Sequence, residues 1–274
     1  SNLYRVPGQE RVAQRLIDAS FADTVFFCNS GAEAIECALK MARKYNDVRA
    51  NPDRYRVIDA RGAFHGRTLA TIAAGGQEKH LKGFDPIIDG FDHVPFGNLN
   101  ELRHAITGQT GAILVEPVQG EGGVRPADTE YLQRLRATAD EYGLLLIFDE
   151  VQTGIGRTGK LFAHEWAGVT PDIMPVAKGL GGGFPVGACL ATERAAACMQ
   201  PGTHGSTFGG NPLAMAAADA VLDIVLENTF LPRVCEMAAL LTDKIDAVVA
   251  AHPQVISARR GLGLLQGLVC TVPN

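Results

Sequence analysis

The chain has 274 residues, 46% of them hydrophobic, and a formal net charge of -5. That length can bury a sizeable core, as one large α/β domain or two smaller ones, while the acidic balance leaves no basic footprint for nucleic acid or an anionic membrane. No apolar stretch is long enough to cross a bilayer and the amino end has no charged-then-apolar targeting pattern, so a soluble, cytoplasmic protein with a small-molecule partner is expected.

In chain order, Gln9 to Ala19 has helical spacing, Thr24 to Cys28 reads as a strand, and Glu33 to Tyr45 reads as a helix. Arg56 to Ile58 is a short strand candidate and Ala112 to Val115 a firmer one. A helix over Thr129 to Tyr142 feeds the apolar run Leu144 to Phe148, followed by a strand over Gly187 to Ala191 and a helix over Leu213 to Leu226. A further helix, Leu231 to Ala251, leads to Val255-Ile256 and to a stretch from Gly261 to Leu268. Such alternation predicts the α/β class, with a mostly parallel sheet covered by helices on both faces. The cysteines Cys28, Cys37, Cys189, Cys198, Cys235 and Cys270 form no Cys-x-x-Cys pair, so they read as reduced thiols rather than a zinc site or disulfide frame. No metal is expected.

Consecutive apolar residues from Leu144 to Phe148 face both ways, as in a buried parallel strand, and Asp149 closes that strand at its carboxyl end. Ligands of open α/β sheets bind at that edge. Lys178 lies downstream, followed by Gly179-Leu180-Gly181-Gly182-Gly183. Taken singly, an aspartate at a strand end is more often a cap or turn residue, and a lone lysine a solvated charge. Together they suit pyridoxal 5'-phosphate, which needs a lysine for a Schiff base and an acid to keep its pyridine nitrogen protonated. The glycines are better explained by a tight turn than by a second phosphate cradle, because no nucleotide fingerprint surrounds them. Ser30-Gly31-Ala32 follows a strand and opens a helix, where unpaired amides can meet a phosphate or merely be capped.

The runs Asn29-Ser30-Gly31-Ala32-Glu33-Ala34, Phe64-His65-Gly66-Arg67, Glu116-Pro117-Val118-Gln119-Gly120-Glu121-Gly122-Gly123, Phe148-Asp149-Glu150-Val151-Gln152-Thr153-Gly154 and His204-Gly205-Ser206-Thr207-Phe208-Gly209-Gly210 span almost the whole chain. In that order they closely resemble the class III aminotransferases of the aspartate-aminotransferase-like fold, the fold type I enzymes of pyridoxal phosphate. The resemblance implies catalytic roles for Lys178 and Asp149. Lys178 would hold the cofactor and then move a proton as general base and acid. It also implies a phosphate cup of Ser30, Gly31 and Ala32, Phe64 stacked on the ring, Val151 beneath it, and Gln152 on its phenolic oxygen. Glu150 is included among the cofactor contacts, although alternation along an extended segment points it away from Asp149. Thr207 would complete the phosphate cup of a neighbouring subunit, so a homodimer with shared sites follows. Arg67, Glu121 and Ser206 would contact substrate, whereas His65 and His204 read as structural.

Further implications concern organisation and substrate. Residues 1–254 are expected to form the cofactor-binding large domain and 255–274 the start of the small carboxy-terminal domain. The family's amino-terminal segment and the rest of its small domain have no counterpart here, nor has the small-domain arginine that grips a substrate carboxylate. The run from Gly202 to Thr207 is closer to acetylornithine-type than to ornithine-type members. The implied reaction carries the δ-amino group of N2-acetylornithine to the 2-oxo acid 2-oxoglutarate, with ping-pong kinetics, in arginine biosynthesis. Ornithine, succinylornithine and succinyldiaminopimelate are alternative donors, and a non-catalytic cofactor-binding dimeric fragment is the alternative of another class.

Overall fold

A computed structural model describes residues 4–271. Helix α1 (Pro7–Asp18) precedes strand β1 (Thr24–Cys28), helix α2 (Gly31–Val48) and strand β2 (Arg56–Ala60). Two short helices, α3 (Leu69–Gly75) and α4 (Glu78–Leu81), lead to β3 (Phe91–Val94), and α5 (Leu99–Ala105) leads to β4 (Thr110–Val115). The small strands β5 (Val118–Gln119) and β6 (Arg125–Pro126) pair with each other before α6 (Thr129–Tyr142) and β7 (Leu145–Phe148). There follow β8 (Ile173–Val176), β9 (Gly187–Ala191), α7 (Glu193–Ala196), α8 (Pro212–Val225), α9 (Phe230–Ala251) and the hairpin of β10 (Ile256–Leu262) and β11 (Leu265–Cys270).

The central sheet has seven strands in the order β1-β9-β8-β7-β4-β2-β3, and only β9 runs against the rest. Apolar runs dictate this because a strand buried on both faces needs a hydrophobic side chain at every position. In β7, Leu145 and Ile147 enter the core under α2 with Ile35, Ala38 and Ala42, while Leu146 and Phe148 enter the opposite core with Leu132 and Leu135 of α6. All four of its residues are buried. The expected strands and long helices are present within a few residues of their predicted ends.

Two strands of the central sheet escaped the sequence reading for physical reasons. β3, Phe91-Asp92-His93-Val94, sits at a sheet edge and mixes polar with apolar residues. β8 carries Pro175, which lacks a ladder donor, yet the strand lies inside the sheet between β7 and β9. Its carbonyl is used instead, accepting the Glu150 amide at 3.0 Å.

The common direction of β1, β2, β4, β7 and β8 sends the chain out of the sheet at one edge, at Asn29, Arg61, Glu116, Asp149 and Ala177. Among the described residues no helix is long and apolar enough to cross a membrane. All six cysteines are free thiols.

Candidate active site

At that edge lies a cavity of about 350 Å³. One wall is the start of α2, where Ser30 caps the helix by accepting the Glu33 amide on Oγ at 3.2 Å. The Gly31 and Ala32 amides stand in the first turn, where a helix has no preceding carbonyl to receive them. The backbone there is tightly cradled. A Cβ on Gly31 would lie 2.6 Å from Val151 Cγ1, and one on Gly66, whose φ is +128°, would lie 2.6 Å from Ala32 Cβ.

Lys178 borders the same cavity. Its φ of 39° lies in the left-handed region, unfavourable for a side-chain-bearing residue and characteristic of sites where geometry is imposed by the surrounding fold. The following turn uses the left-handed glycines Gly182 and Gly183, as the tight-turn reading expected.

Asp149 accepts the Val151 amide on Oδ1 at 2.9 Å, and its Oδ2 lies 2.6 Å from His65 Nδ1. The other ring nitrogen, His65 Nε2, lies 2.8 Å from Asp59 Oδ2. All three side chains are buried. Burial opposes a charge on His65, but the attraction of Asp59 and the hydrogen bond to Asp149 overcome it and hold its pKa well above the usual range. Both ring nitrogens therefore donate, and the imidazolium fixes the direction of the Asp149 carboxylate. Beside them, burial pushes the Glu116 carboxyl up to about 8. The Asp149 charge reinforces that rise, while His65 and the amides of Phe64 and Gly120 oppose it.

Ser30, Gly31, Ala32, Phe64 and Glu121 border this cavity together with Asp149, Val151, Gln152 and Lys178. Gln152 is held close to the backbone, since a Cβ on Gly120 would fall 1.6 Å from its Oε1. Arg67 is outside the lining, with its guanidinium 5.5 Å from the centroid of the Phe64 ring. Ser206 and Thr207 border an adjoining cavity of about 400 Å³, and Asn29 belongs to both. Asn29 Nδ2 donates to Ser206 Oγ at 3.2 Å. His204 packs its ring against Phe26 and approaches Lys40 Nζ at 3.0 Å.

One expected contact is corrected. Glu150 turns its carboxylate away from the cavity into the protein, where it accepts the Thr153 hydroxyl at 2.6 Å and the Ala163 and His164 amides at 2.8 and 2.7 Å. Its own amide is spent on Pro175. Burial outweighs those three donors and raises the Glu150 pKa to about 7.

The sequence reading also overlooked Glu116 and Asp59 as members of the site and the wall formed by Gly183 to Val186. Glu116 carried a usable signal. Like Asp149, it is an acid directly after an apolar run that forms a central strand, here Ile113-Leu114-Val115. Asp59 gave none, because its partner His65 meets it only through the turn after β2.

The donor set fits a phosphorylated pyridine: a glycine-cradled helix start for a dianion, an aromatic ring at the mouth, a buried carboxylate for a ring nitrogen, and an amine. Fold and site thus define a pyridoxal-phosphate enzyme of the aspartate-aminotransferase-like class. Residues 2–273 match the family described as Aminotransferase class-III. The chain is 62% identical over 274 residues to an acetylornithine aminotransferase of Mesorhizobium japonicum, covering 100% of this chain and 69% of that protein. It superposes on the ornithine aminotransferase of Toxoplasma gondii ME49 with a TM-score of 0.93 at 33% identity, covering 98% of this chain and 65% of that one. An amine transaminase from an uncultivated Pseudomonas species, solved in its PLP-bound form, matches with a TM-score of 0.88 at 31% identity over 95% of this chain and 66% of that one. The chain belongs to the class III aminotransferases, which depend on pyridoxal phosphate. It spans about two thirds of the length of these relatives.

Proposed function

We propose that the chain carries the cofactor-binding part of an acetylornithine-type transaminase, moving the δ-amino group of N2-acetylornithine to 2-oxoglutarate in the cytoplasm, within arginine biosynthesis. The observation that carries this reading is the convergence of Lys178, Asp149 and the open α2 amides on one cavity, in a chain 62% identical to an acetylornithine aminotransferase.

Pyridoxal phosphate, when bound, supplies an electron sink that allows the C–H bond beside the transferred amine to ionise. The amides of Gly31 and Ala32 hold the phosphate, aided by the dipole of the 18-residue α2. Phe64 and Val151 would hold the ring by packing, and Gln152 would supply a donor to its phenolic oxygen; all three line the cavity. Asp149 keeps the ring nitrogen protonated, oriented for this by the charged His65. Lys178 Nζ would anchor the cofactor and is the amine placed to take up and return the proton of the substrate carbon as general base and acid. Arg67 would receive the substrate carboxylate, with Glu121 on the cavity wall, while Ser206, which borders the adjoining cavity, would contact substrate across the dimer.

Two such chains form a dimer in this reading, with Thr207 of each reaching the phosphate of the other. Support comes from the exposure of Thr207 and of Phe208, 70% accessible, beside the second cavity. Residues 1–254 act as the large domain and 255–274 open the small one; the first and last three residues of those ranges lie outside the described residues. The β10–β11 hairpin favours that division, because among the described residues its two strands join no other sheet.

The test is a visible absorption spectrum of the chain with pyridoxal phosphate, before and after N2-acetylornithine, with Lys178→Ala alongside. Loss of the parent's cofactor band on adding the amine, with no lysine-dependent band in the variant, is expected. A parent that responds to succinylornithine or ornithine but not to N2-acetylornithine moves the donor assignment. Absence of any cofactor uptake refutes the site.

A further inference from the structure

We infer that Glu116 is a positioning residue that works as an uncharged acid, tying the Phe64 wall of the cleft to the Gly120–Gln152 wall and leaving the buried cluster of Asp59, His65 and Asp149 with a net charge of minus one. Glu116 follows directly on β4, at the centre of the sheet, and is 6% exposed. Its Oε2 accepts the Phe64 amide at 3.0 Å and its Oε1 the Gly120 amide at 3.3 Å. The Gly120 Cα lies against the Gln152 amide, and the Gly120 carbonyl accepts the Gly123 and Val124 amides of the turn that carries Glu121. One carboxyl thus holds three cavity-lining segments in register.

Charge counting decides the state of that carboxyl. From β2 and the turn after it, Asp59 and His65 face the cluster; from the end of β7 comes Asp149; Lys178 and Glu121 stand elsewhere on the cavity wall. His65 supplies one positive charge and spends both ring N–H groups on Asp59 and Asp149. Were Glu116 ionised as well, three buried carboxylates would share a single cation. A buried carboxylate without a countercharge of its own tends to take up a proton, and the Phe64 and Gly120 amides offset the burial of Glu116 only in part. With Glu116 neutral, the excess is one negative charge, which matches one protonated pyridine nitrogen; this last step alone rests on the proposed function. A carboxylic acid can still accept both amides through its two oxygens, so neutrality does not release the walls.

The experiment is an infrared difference spectrum, wild type minus Glu116→Gln, recorded on cofactor-free protein across a pH series. The expected result is the carbonyl stretch of an un-ionised carboxylic acid in the wild type at neutral pH, giving way to carboxylate bands with a midpoint near 8. Carboxylate bands already present well below that midpoint overturn the inference. If Glu116→Gln does not fold, the wild type suffices: Glu150 and Glu116 should titrate together with the amplitude of two carboxyls, and the amplitude of one overturns it. The positioning role is read separately from pyridoxal phosphate affinity. Glu116→Gln should stay within about threefold of wild type, whereas Glu116→Ala, which frees both amides, should lose about tenfold. Equal affinities of Glu116→Ala and wild type refute the clamp. A wrong cofactor assignment would abolish binding in every variant and leave the infrared result unchanged.

Discussion

Replacing Glu150 by alanine separates the two adjacent acids at the end of β7. The substitution leaves the Thr153 hydroxyl and the Ala163 and His164 amides without their acceptor. At about 1–3 kcal/mol for each stranded buried donor, with water entering part of the space, the loss is about 3–5 kcal/mol. For a chain of this size that lowers the melting temperature by roughly 10 °C. The penalty depends on pH. Glu150 has a folded pKa of about 7 against an ordinary 4.5, so between those values the folded chain keeps a proton the unfolded chain has released. Wild-type stability from this group therefore falls as pH rises through that window, by roughly 3 kcal/mol in all, and levels off above it. The gap between wild type and Glu150→Ala should be widest at the acid end and narrow towards neutral pH. Thermal unfolding of the cofactor-free proteins across that range measures it, and pyridoxal phosphate titration well below both melting points supplies the second readout. Affinity should remain within about threefold, since the lost bonds contribute nothing to the cavity. A variant that melts like wild type at the acid end of that range, or one that stays folded but loses the cofactor tenfold, would refute the assignment of Glu150 to the interior.

Gly66→Ala should weaken pyridoxal phosphate binding and cost about 1–2 kcal/mol in backbone strain alone, because φ is +128° and the new Cβ would press on Ala32 at 2.6 Å; calorimetric titration of cofactor gives the first and urea unfolding the second. His65→Leu leaves Asp59 and Asp149 buried without their shared cation, and about 3–5 kcal/mol of stability should disappear. Denaturant unfolding checks this; a loss below about 1 kcal/mol would mean that the imidazolium is not what holds the two aspartates. If Arg67 receives the substrate carboxylate as proposed, Arg67→Gln should raise the KM for the carboxylate-bearing donor by about tenfold with kcat little changed, because its guanidinium lies over Phe64 outside the cavity lining; steady-state kinetics decides it, and a fall in kcat at constant KM counts against the role.

Much of the fold was legible because the hydrophobic pattern is unambiguous where strands are buried on both faces. Leu144 to Phe148 could be placed as a central strand from its composition, and the position of Asp149 at its end followed from parallel direction alone. β3 and β8 were not legible. One is an edge strand that mixes polar and apolar residues, and the other interrupts its ladder with Pro175 while its neighbours supply the missing constraints. The Gly31–Ala32 helix start was likewise legible as a strand-to-helix junction, while its reading as a phosphate cup came from the family resemblance.

By itself the sequence determined the alternation of elements, the acid at the end of the β7 run, the lysine beside its glycines, and the motifs of the family, all of which depend on residue type and short spacing. Alternation along the extended segment already set Glu150 opposite Asp149, but only the tertiary structure decided what each carboxylate meets. Asp149 and Glu150 are neighbours of the same chemistry. The former is turned to the cavity by a histidine held from β2, and the latter is turned inward by the amides of residues 163 and 164. Asp59, His65 and Glu116 join Asp149 in one buried charge system across distances in sequence that no local pattern encodes. That system exists because parallel strands bring their carboxyl ends to a single edge, where desolvation makes the partner of every charge a question of packing in three dimensions.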